Sequence, residues 1–327
     1  GVFEISGFPW FYNNNSFCRL DINSLYKFSE GIRYLAWNTA GGAERFASDS
    51  PVLAIKIELS SAEDMSHMPR SGSSGIDVFI GSGKNKRYFG TAMPGRGEKN
   101  YHAVFEGLNR EMREWTLYMP LYNGVISLQV GLEPGSKLEK PSAYTIEKPI
   151  VFYGSSITQG GCASRPGNAY THIVCRCLDA NMVNLGFSGN AKGEAEMANL
   201  IATLQMSAFV MDYDHNAPDV EHLEKTHETF FNIIRKAQPE LPVIFVSKPD
   251  FDKNPDINAL RREVIYNTYI SALNNNDKHV YFVDGQTLFG EKDRDACTVD
   301  GCHPNDLGFM RMAEKIYPVL KHAVNID

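Results

Sequence analysis

Two serines follow a short apolar run near the middle of the chain, in the sequence VFYGSSITQGG (residues 151–161). Gly154, Ser155 and Ser156 stand where a strand would enter a turn, and glycine and serine are common in turns for backbone reasons alone. A serine at the end of a strand can also be a nucleophile, provided that a base takes its proton. The stretch is therefore either a simple turn or the position of a catalytic serine.

A histidine suited to act as that base lies near the C-terminus, in the sequence TVDGCHPND. Asp300 precedes His303 by three residues, so its carboxylate can orient the imidazole within a single turn. Asp-x-x-His alone recurs by chance and gains weight only beside other motifs. Because the base must be neutral, a mild environment predicts activity that rises through a pKa near ~6.5.

Other arrangements of the reactive residues remain open. Ser155 competes with Ser156 as the nucleophile, and Asp212, Asp214 and His215 could form a metal site. Alternate residues of a strand point to opposite faces, however, and no second histidine is placed to complete a metal shell. No Cys-x-x-Cys pair is present, so a thiolate zinc site is not expected. We predict neither a metal nor another cofactor. Further histidines on predicted helices are interpreted as surface or packing residues: His172, His222 and His227.

The cysteines do not indicate a disulfide scaffold, because their density is too low. We expect free buried thiols, although Cys297 and Cys302 flank a loop and could pair. The six cysteines are Cys18, Cys162, Cys175, Cys177, Cys297 and Cys302.

The half of the chain that begins at Ile150 alternates strands with helices. Short apolar runs are separated by helical patterns, and a last helix is predicted from Leu307 to about Val324. This order predicts a parallel sheet covered by helices on both faces. Ligands bind at the carboxyl ends of the strands of such sheets, and Ser156 lies at one of these ends. The strand-like runs are PIVFYG, NMVNLGFSG, AFVMDY, PVIFVSKP and HVYFVDG.

The first 132 residues instead contain short strands with turns between them, which predicts a β-sandwich or jelly roll. Asn123-Gly124 divides two strand-like runs and is typical of a hairpin. In the second run Ile126, Leu128, Val130 and Leu132 alternate with Val125, Ser127, Gln129 and Gly131, and this alternation predicts that the face of the first four points inward. We expect a sandwich domain over 1–132, a linker over 133–148, rich in Pro, Lys and Glu, and a second domain over 149–327.

Composition excludes several classes of protein. The 327 residues allow two cores, and 43% hydrophobic and 22% charged residues are ordinary globular usage. A net charge of −7 without basic clusters argues against nucleic acid as a partner. No run reaches eighteen apolar residues, so membrane insertion is not expected. The chain starts at Gly1 without an apolar core of signal-peptide length and is interpreted as trimmed.

Four segments, GSSIT, NLGFSGN, DYDHNAP and DGCHP, together resemble the ordered blocks of the SGNH (GDSL-type) hydrolases. The resemblance implies a flavodoxin-like three-layer α/β/α domain over about 149–327, with Ser156 as nucleophile, His303 as base and Asp300 as its orienting acid. It also implies an oxyanion hole made by the backbone amides of Ser156 and Gly189 and by the side-chain amide of Asn216. A turn glycine and a capping asparagine remain the alternatives for the last two.

The upstream segment SGIDVFIG resembles the Gly-x-Asp-Leu-Tyr motif of a bacterial subfamily in which a β-sandwich precedes the SGNH domain. Gly75, Asp77, Val78 and Phe79 carry this match. The resemblance implies an exported protein. Arg165, in a loop expected to rim the nucleophile, is either a substrate contact or part of a structural salt bridge.

These features predict a serine esterase that acts on small acyl esters, with acetyl esters of carbohydrates preferred. A lipid or thioester hydrolase is one alternative. Another is a glycan-binding protein with a non-catalytic hydrolase domain. As a third possibility, the sandwich only forms a wall of the cleft or a subunit interface. The oligomeric state stays open. The aromatic residues that could stack on sugars, or else pack in a core, are Trp10, Phe11, Tyr12, Trp37 and Trp115.

Overall fold

A computed structural model describes residues 1–249 and 251–325; Ile326 and Asp327, the end of the predicted 149–327 domain, lie outside the described residues. Among the described residues, no helix is both long and apolar enough to cross a membrane. The strands are β1 (Glu4–Ser6), β2 (Ala43–Ser48), β3 (Leu53–Leu59), β4 (Ile76–Ile80), β5 (Arg87–Ala92), β6 (Asn100–Phe105), β7 (Arg113–Tyr118), β8 (Val125–Leu132), β9 (Leu138–Glu139), β10 (Ile146–Gly154), β11 (Ala180–Gly186), β12 (Ala208–Asp212), β13 (Val243–Val246) and β14 (Val280–Val283). The α-helices are α1 (Phe11–Asn14), α2 (Glu30–Leu35), α3 (Arg70–Ser73), α4 (Ser156–Gln159), α5 (Tyr170–Leu178), α6 (Ala195–Ala202), α7 (Val220–Ala237), α8 (Pro255–Asn274) and α9 (Asp306–Ala323).

The C-terminal half forms a five-stranded parallel sheet in the order β11-β10-β12-β13-β14. In chain order this is 2-1-3-4-5, the flavodoxin-like arrangement. Side chains of β10 alternate between the two faces: Phe152 packs with α5 and α9, whereas Val151 packs with α6 and α7. The predicted three-layer α/β/α fold is confirmed.

The sandwich predicted for the N-terminal region is also confirmed. One antiparallel sheet has the order β1-β2-β7-β4-β5 with β9 paired to β2, and the other has the order β6-β3-β8. Phe46, Ile55 and Trp115, which come from both sheets, are buried in one shared core. The inward residues of the two sheets thus cover each other, as in other β-sandwiches.

The hairpin predicted at Asn123-Gly124 is wrong, because β7 and β8 belong to different sheets. The buried Asn123 side chain instead joins the crossing segment to the end of β3. Its Oδ1 accepts a hydrogen bond from Ser60 Oγ at 2.9 Å, and its Nδ2 donates to the carbonyl of Ser61 at 3.0 Å. A Cβ atom at Gly124 would lie 2.7 Å from the carbonyl oxygen of Trp37, so glycine is required by a close approach of two backbones.

The inward orientation predicted for Ile126 is wrong as well. Leu59 pairs with Val125 and Glu58 pairs with Ser127, so Ile126 is the extra residue of a β-bulge and is 59% exposed. An unpaired residue of this kind shifts the alternation by one position. The other apolar residues predicted on this face are partly buried against the sandwich core: Leu128, Val130 and Leu132.

Part of the N-terminal region packs away from the sandwich. Residues 18–36 contribute Leu20, Ile32 and Leu35 to the core on one face of the parallel sheet, where they pack with Val151 and Val183. The predicted domain 1–132 is therefore not a sandwich throughout. Its helical segment acts as an additional cover for the α/β layer.

The predicted linker 133–148 contains β9 and the first residues of β10. The division of the chain into separate domains stays a prediction. A buried ion pair of 2.6 Å between Lys86 Nζ and Asp179 Oδ1 joins the sandwich to the α/β part close to this segment, and Thr145 donates to the same carboxylate.

Candidate active site

The turn between β10 and α4 distinguishes the two adjacent serines. Ser155 is the N-cap of α4, where its Oγ accepts a hydrogen bond from the backbone amide of Ile157 at 3.1 Å. A Cβ atom at Gly154 would lie 2.5 Å from the carbonyl oxygen of Asp212, so glycine is required by a close approach of two backbones. The Ser155 hydroxyl therefore caps a helix, while the Ser156 hydroxyl faces a histidine.

Ser156, His303 and Asp300 are brought together as one chain of hydrogen bonds. His303 Nε2 lies 3.0 Å from Ser156 Oγ, and His303 Nδ1 lies 2.7 Å from Asp300 Oδ2. The other carboxylate oxygen of Asp300 accepts hydrogen bonds from the backbone amides of His303 and Cys302. Because an ionised carboxylate only accepts, it fixes the proton on Nδ1 and leaves Nε2 to receive the serine proton.

The two titrating groups of this chain are both perturbed. Burial raises the pKa of Asp300, but its hydrogen bonds from His303 outweigh this and lower the pKa to about 2. For His303, the hydrogen-bonding contact with Cys302 is the largest influence, and together with Asp300 it raises the pKa to about 8 against the effect of burial. The sequence-based value near ~6.5 assumed a mild environment, which this site does not provide.

Cys302 is a site residue that the sequence analysis did not single out for chemistry. Its Sγ lies 3.0 Å from His215 Nε2 and is partly exposed. Burial raises the pKa of this thiol, but the contacts with His215 and His303 lower it to about 6. Cys302 does not pair with the buried Cys297, since both are free thiols. Its position directly before His303 was the available signal.

Of the candidate oxyanion residues, Asn216 contacts the loop that contains Gly189. The amide of Ser156 is in the first turn of α4, where amides have no partner within the helix. Gly189 has φ +68°, which favours glycine, and a Cβ there would meet no atom within 4 Å. Asn216 Nδ2 donates to the carbonyl of Phe187 at 2.9 Å, and the amide of Asn190 donates to the same oxygen. One amide proton of Asn216 remains for another acceptor.

Arg165 is directed to the sandwich. Its guanidinium pairs with Asp77 Oδ2 at 2.9 Å and lies 4.0 Å from the ring centroid of Tyr88. The same Asp77 oxygen accepts the backbone amide of Gly167 at 2.7 Å. This is the structural salt bridge that the sequence left as an alternative, and it places the aspartate of the Gly-x-Asp motif at the junction with the nucleophile domain.

The alternative metal site on the third strand is not assembled. Asp212 Oδ2 accepts hydrogen bonds from two buried hydroxyl groups, and Asp214 forms an ion pair with Arg261. His215 faces Cys302 instead. The three side chains therefore have separate partners.

The remaining histidines agree with their interpretation as packing or surface residues. His172 packs edge-on against Tyr118, and His227 Nδ1 lies 2.9 Å from Thr268 Oγ1. Burial lowers the pKa of both imidazoles to about 3, so both are neutral. His222 is exposed.

The aromatic residues considered for sugar stacking do not share one surface. Trp115 is fully buried in the sandwich, while Trp10 packs against the core of the parallel sheet. Phe11 is half-buried. Tyr12 and Trp37 are 83% and 44% exposed. A stacking platform made by all five is not present.

Three residues from the N-terminal region also lie at the site. No sequence motif predicted that they would. Buried Arg19 donates to the carbonyls of Asn184 and Gly186, at the end of β11, and burial lowers its pKa to about 9. Tyr122 Oη donates to the carbonyl of Ser156 at 3.1 Å. The exposed ring of His67 lies edge-on to His303, with 5.6 Å between ring centroids.

Comparison with known families agrees with this geometry. Residues 147–321 match the model of the GDSL-like lipase/acylhydrolase family. The chain belongs to this family. Residues 2–138 match the N-terminus of SGNH-hydrolase-type esterases, known by the motif GxDLY. This GDSL-like protein is therefore a carboxylic ester hydrolase.

Solved structures share the whole architecture of this GDSL-like hydrolase. A GDSL-like lipase from Bacteroides ovatus has a TM-score of 0.89 at 29% identity, over 99% of this chain and 96% of that one. Salicylyl-acyltransferase SsfX3, from a tetracycline biosynthetic pathway, has a TM-score of 0.80 at 20% identity over the same shares. A family two carbohydrate esterase from Clostridium thermocellum reaches 0.64 at 14% identity, over 88% of this chain and 93% of that one. The likeness to the acyltransferase and to the carbohydrate esterase shows a common fold. A comparison with curated proteins finds no match.

Proposed function

We propose that this protein is a serine esterase that removes small acyl groups, acetyl above all, from carbohydrate esters through an acyl-enzyme. The observation that carries the proposal is the hydrogen-bonded chain from Asp300 through His303 to Ser156. Because Ser155 is engaged as a helix cap, Ser156 is the nucleophile of the pair.

In the first step Ser156 Oγ attacks the ester carbonyl carbon while His303 Nε2 takes the hydroxyl proton. Asp300 stabilises the imidazolium that forms, without itself taking the proton. When the tetrahedral intermediate collapses, the C–O bond to the alcohol breaks and His303 returns the proton to the leaving oxygen. The product is an acyl group on Ser156 and a free alcohol.

In the second step a water molecule, deprotonated by His303, attacks the acyl carbon and releases the carboxylic acid. The backbone amides of Ser156 and Gly189 and the Asn216 side chain are the proposed donors to the oxyanion in both steps. Loss of one such donor typically costs about 3 kcal/mol of barrier.

One observation favours carbohydrate esters over lipid esters. The fold of this chain is shared with carbohydrate esterases, including an acetyl xylan esterase from Butyrivibrio proteoclasticus. We further propose an exported location, where polymeric carbohydrate is accessible.

The test is hydrolysis of p-nitrophenyl acetate, butyrate and octanoate by wild type, Ser156→Ala and the matched control Ser155→Ala. We expect activity to fall with chain length and to be lost in Ser156→Ala, by about a thousandfold or more. Ser155→Ala retains the nucleophile and loses only a helix cap, a change of about 1 kcal/mol in the free energy of unfolding.

Other outcomes identify the alternatives. Highest activity on octanoate would indicate a lipid or thioester hydrolase. If wild type and Ser156→Ala are equally inactive on all three esters, and both bind acetylated glycans equally, the protein is a glycan-binding protein. Release of acetate from acetylated xylan by wild type, but not by Ser156→Ala, is the result expected on a natural substrate.

A further inference from the structure

Thiol and imidazole groups that the proposed mechanism does not use lie beside His303. His67, Cys162 and His303 each offer one nitrogen or sulfur atom, and the three atoms lie within 4.8 Å of one another. The three residues come from distant parts of the chain: the segment after β3, the turn after α4 and the segment before α9. The fold, rather than local sequence, creates this group.

Imidazole nitrogen and thiolate sulfur are the ligands that Zn²⁺ prefers, at about 2.0–2.1 Å and 2.3 Å respectively. Two atoms bound tetrahedrally to one ion lie within about 4 Å of each other, so only small movements are needed. His67 is exposed on its segment and has room to make them. Cys162 is buried, and a bound cation displaces the proton of a coordinating thiol.

His303 is already oriented as metal ligands usually are. Its Nδ1 faces Asp300 Oδ2 at 2.7 Å, which leaves Nε2 as the nitrogen for an ion and supplies the carboxylate–histidine arrangement common around zinc. The backbone amide of Cys162 donates to the carbonyl of Pro304 at 2.9 Å, which holds Cys162 next to the histidine segment.

We propose that Zn²⁺ binds to His67, Cys162 and His303 and reversibly switches off the esterase, an inference that rests on the proposed function. An ion on Nε2 occupies the lone pair that would receive the Ser156 proton, so the nucleophile is no longer activated. The fourth position is left to water. His67 thus gives the N-terminal region a regulatory contact with the catalytic base.

A second group, formed by Asp300, Cys302 and His303, also lies within 4.8 Å but is the poorer site. Asp300 Oδ2 and His303 Nδ1 already share a proton at 2.7 Å, and an ion between them would break that bond. Cys302 Sγ is engaged by His215. Cys302 therefore serves as the control position.

The first experiment measures p-nitrophenyl acetate hydrolysis against Zn²⁺ concentration, with reversal by a chelator and with Mg²⁺ as control. Mg²⁺ prefers oxygen ligands and should not inhibit. Inhibition of His67→Ala and of Cys162→Ala is expressed relative to the activity of each variant without zinc. The zinc concentration for half inhibition is expected to rise at least about tenfold in both variants and not to rise in Cys302→Ser.

Direct binding keeps this test separate from the esterase proposal. Equilibrium dialysis with Zn²⁺ is expected to give one tightly bound ion per chain in wild type and in Ser156→Ala, but not in His67→Ala. If the wild-type protein has no esterase activity but zinc binds to it and not to His67→Ala, the proposed function is refuted and the proposed zinc site is supported. The proposed site would be refuted if wild type, His67→Ala and Cys162→Ala bound zinc equally. It would also be refuted if binding were lost in Cys302→Ser alone. Thermal melting confirms that each variant is folded.

Discussion

The carboxyl edge of the parallel sheet and the N-terminal region contribute to the same site in different ways. The sheet edge supplies the reacting groups Ser156, His303 and Asp300, which contact one another through side chains. The N-terminal region supplies Arg19 and Tyr122, whose side chains bind backbone carbonyls of the sheet edge. The first region is proposed to perform chemistry, and the second fixes the geometry in which it occurs.

This difference explains why the site residues of the sheet edge could be predicted from the sequence and those of the N-terminal region could not. A catalytic group must be a particular residue type at a particular strand end, so it produces a motif. A backbone carbonyl is present at every residue, so a side chain that binds one can come from anywhere in the chain. Arg19 reaches carbonyls more than 160 positions away, at Asn184 and Gly186.

The largest effect that tests this comparison is expected at Asp300. Asp300→Asn keeps an oxygen for the backbone amides but can donate to His303 Nδ1, which favours the wrong tautomer. The same substitution in a serine-protease triad lowers kcat about 10⁴-fold, and we expect a loss of about 10³-fold or more. The measurement is kcat on p-nitrophenyl acetate together with a thermal melt. A loss below tenfold in a folded variant would remove Asp300 from the proposed chain.

The next effect is expected in the N-terminal region, at Arg19. Arg19→Met deprives three buried carbonyls, those of Asn184, Gly186 and Leu35, of a charged donor. Hydrogen bonds to charged groups are worth about 1.5–3 kcal/mol each, so we expect the free energy of unfolding to fall by about 3 kcal/mol or more. Urea denaturation measures this change.

Arg33→Met, at an exposed arginine of α2, is the matched control and should leave stability within about 0.5 kcal/mol. If Arg19 positions the strand end before the loop of Gly189, kcat should also fall while KM changes little. A stability loss with unchanged kcat would limit Arg19 to a structural role and weaken the comparison.

Much of the catalytic half could be predicted because its signals are local. Buried parallel strands appear as short apolar runs, and their alternation with helices determines the sheet. The ordered blocks then place Ser156 and Asn216 after strand ends and His303 before the last helix. The roles of these residues stay proposals, but the structure brings the serine, the histidine and Asp300 within hydrogen-bonding distance.

The sandwich half was less predictable because tertiary contacts override its local signals. Asn123-Gly124 satisfies the hairpin rule, yet Asn123 is used as a buried hydrogen-bonding group between sheets. Ile126 fits the alternation, yet a bulge turns it outward. The short helices between residues 11 and 35 were missed because a helix of one or two turns has too few residues for a periodic pattern.

A smaller effect, on pH dependence, should separate Cys302 from the proposed catalytic groups. His303 acts as a base only when neutral, so its raised pKa of about 8 predicts that activity is lost as pH falls through about 8. Cys302→Ser removes the largest contribution to this shift and should move the midpoint to lower pH, raising the rate at neutral pH several-fold. Profiles of kcat/KM against pH measure it, with the exposed Cys177→Ser as control. A midpoint that does not move would show that Asp300 alone sets the histidine pKa.

The smallest effect is expected at Tyr122. It tests whether the N-terminal region only supports the reacting groups or takes part in the reaction. Tyr122→Phe removes one hydrogen bond to the carbonyl of Ser156, worth about 1 kcal/mol, so kcat should fall at most about fivefold. Tyr101→Phe is the matched control, because its hydroxyl donates to the carbonyl of Ser74 inside the sandwich at 2.9 Å. The control should lose similar stability without losing kcat. If Tyr122→Phe instead approaches the loss of Asp300→Asn, the tyrosine hydroxyl takes part in the reaction, and the sandwich belongs to the catalytic machinery rather than to its support.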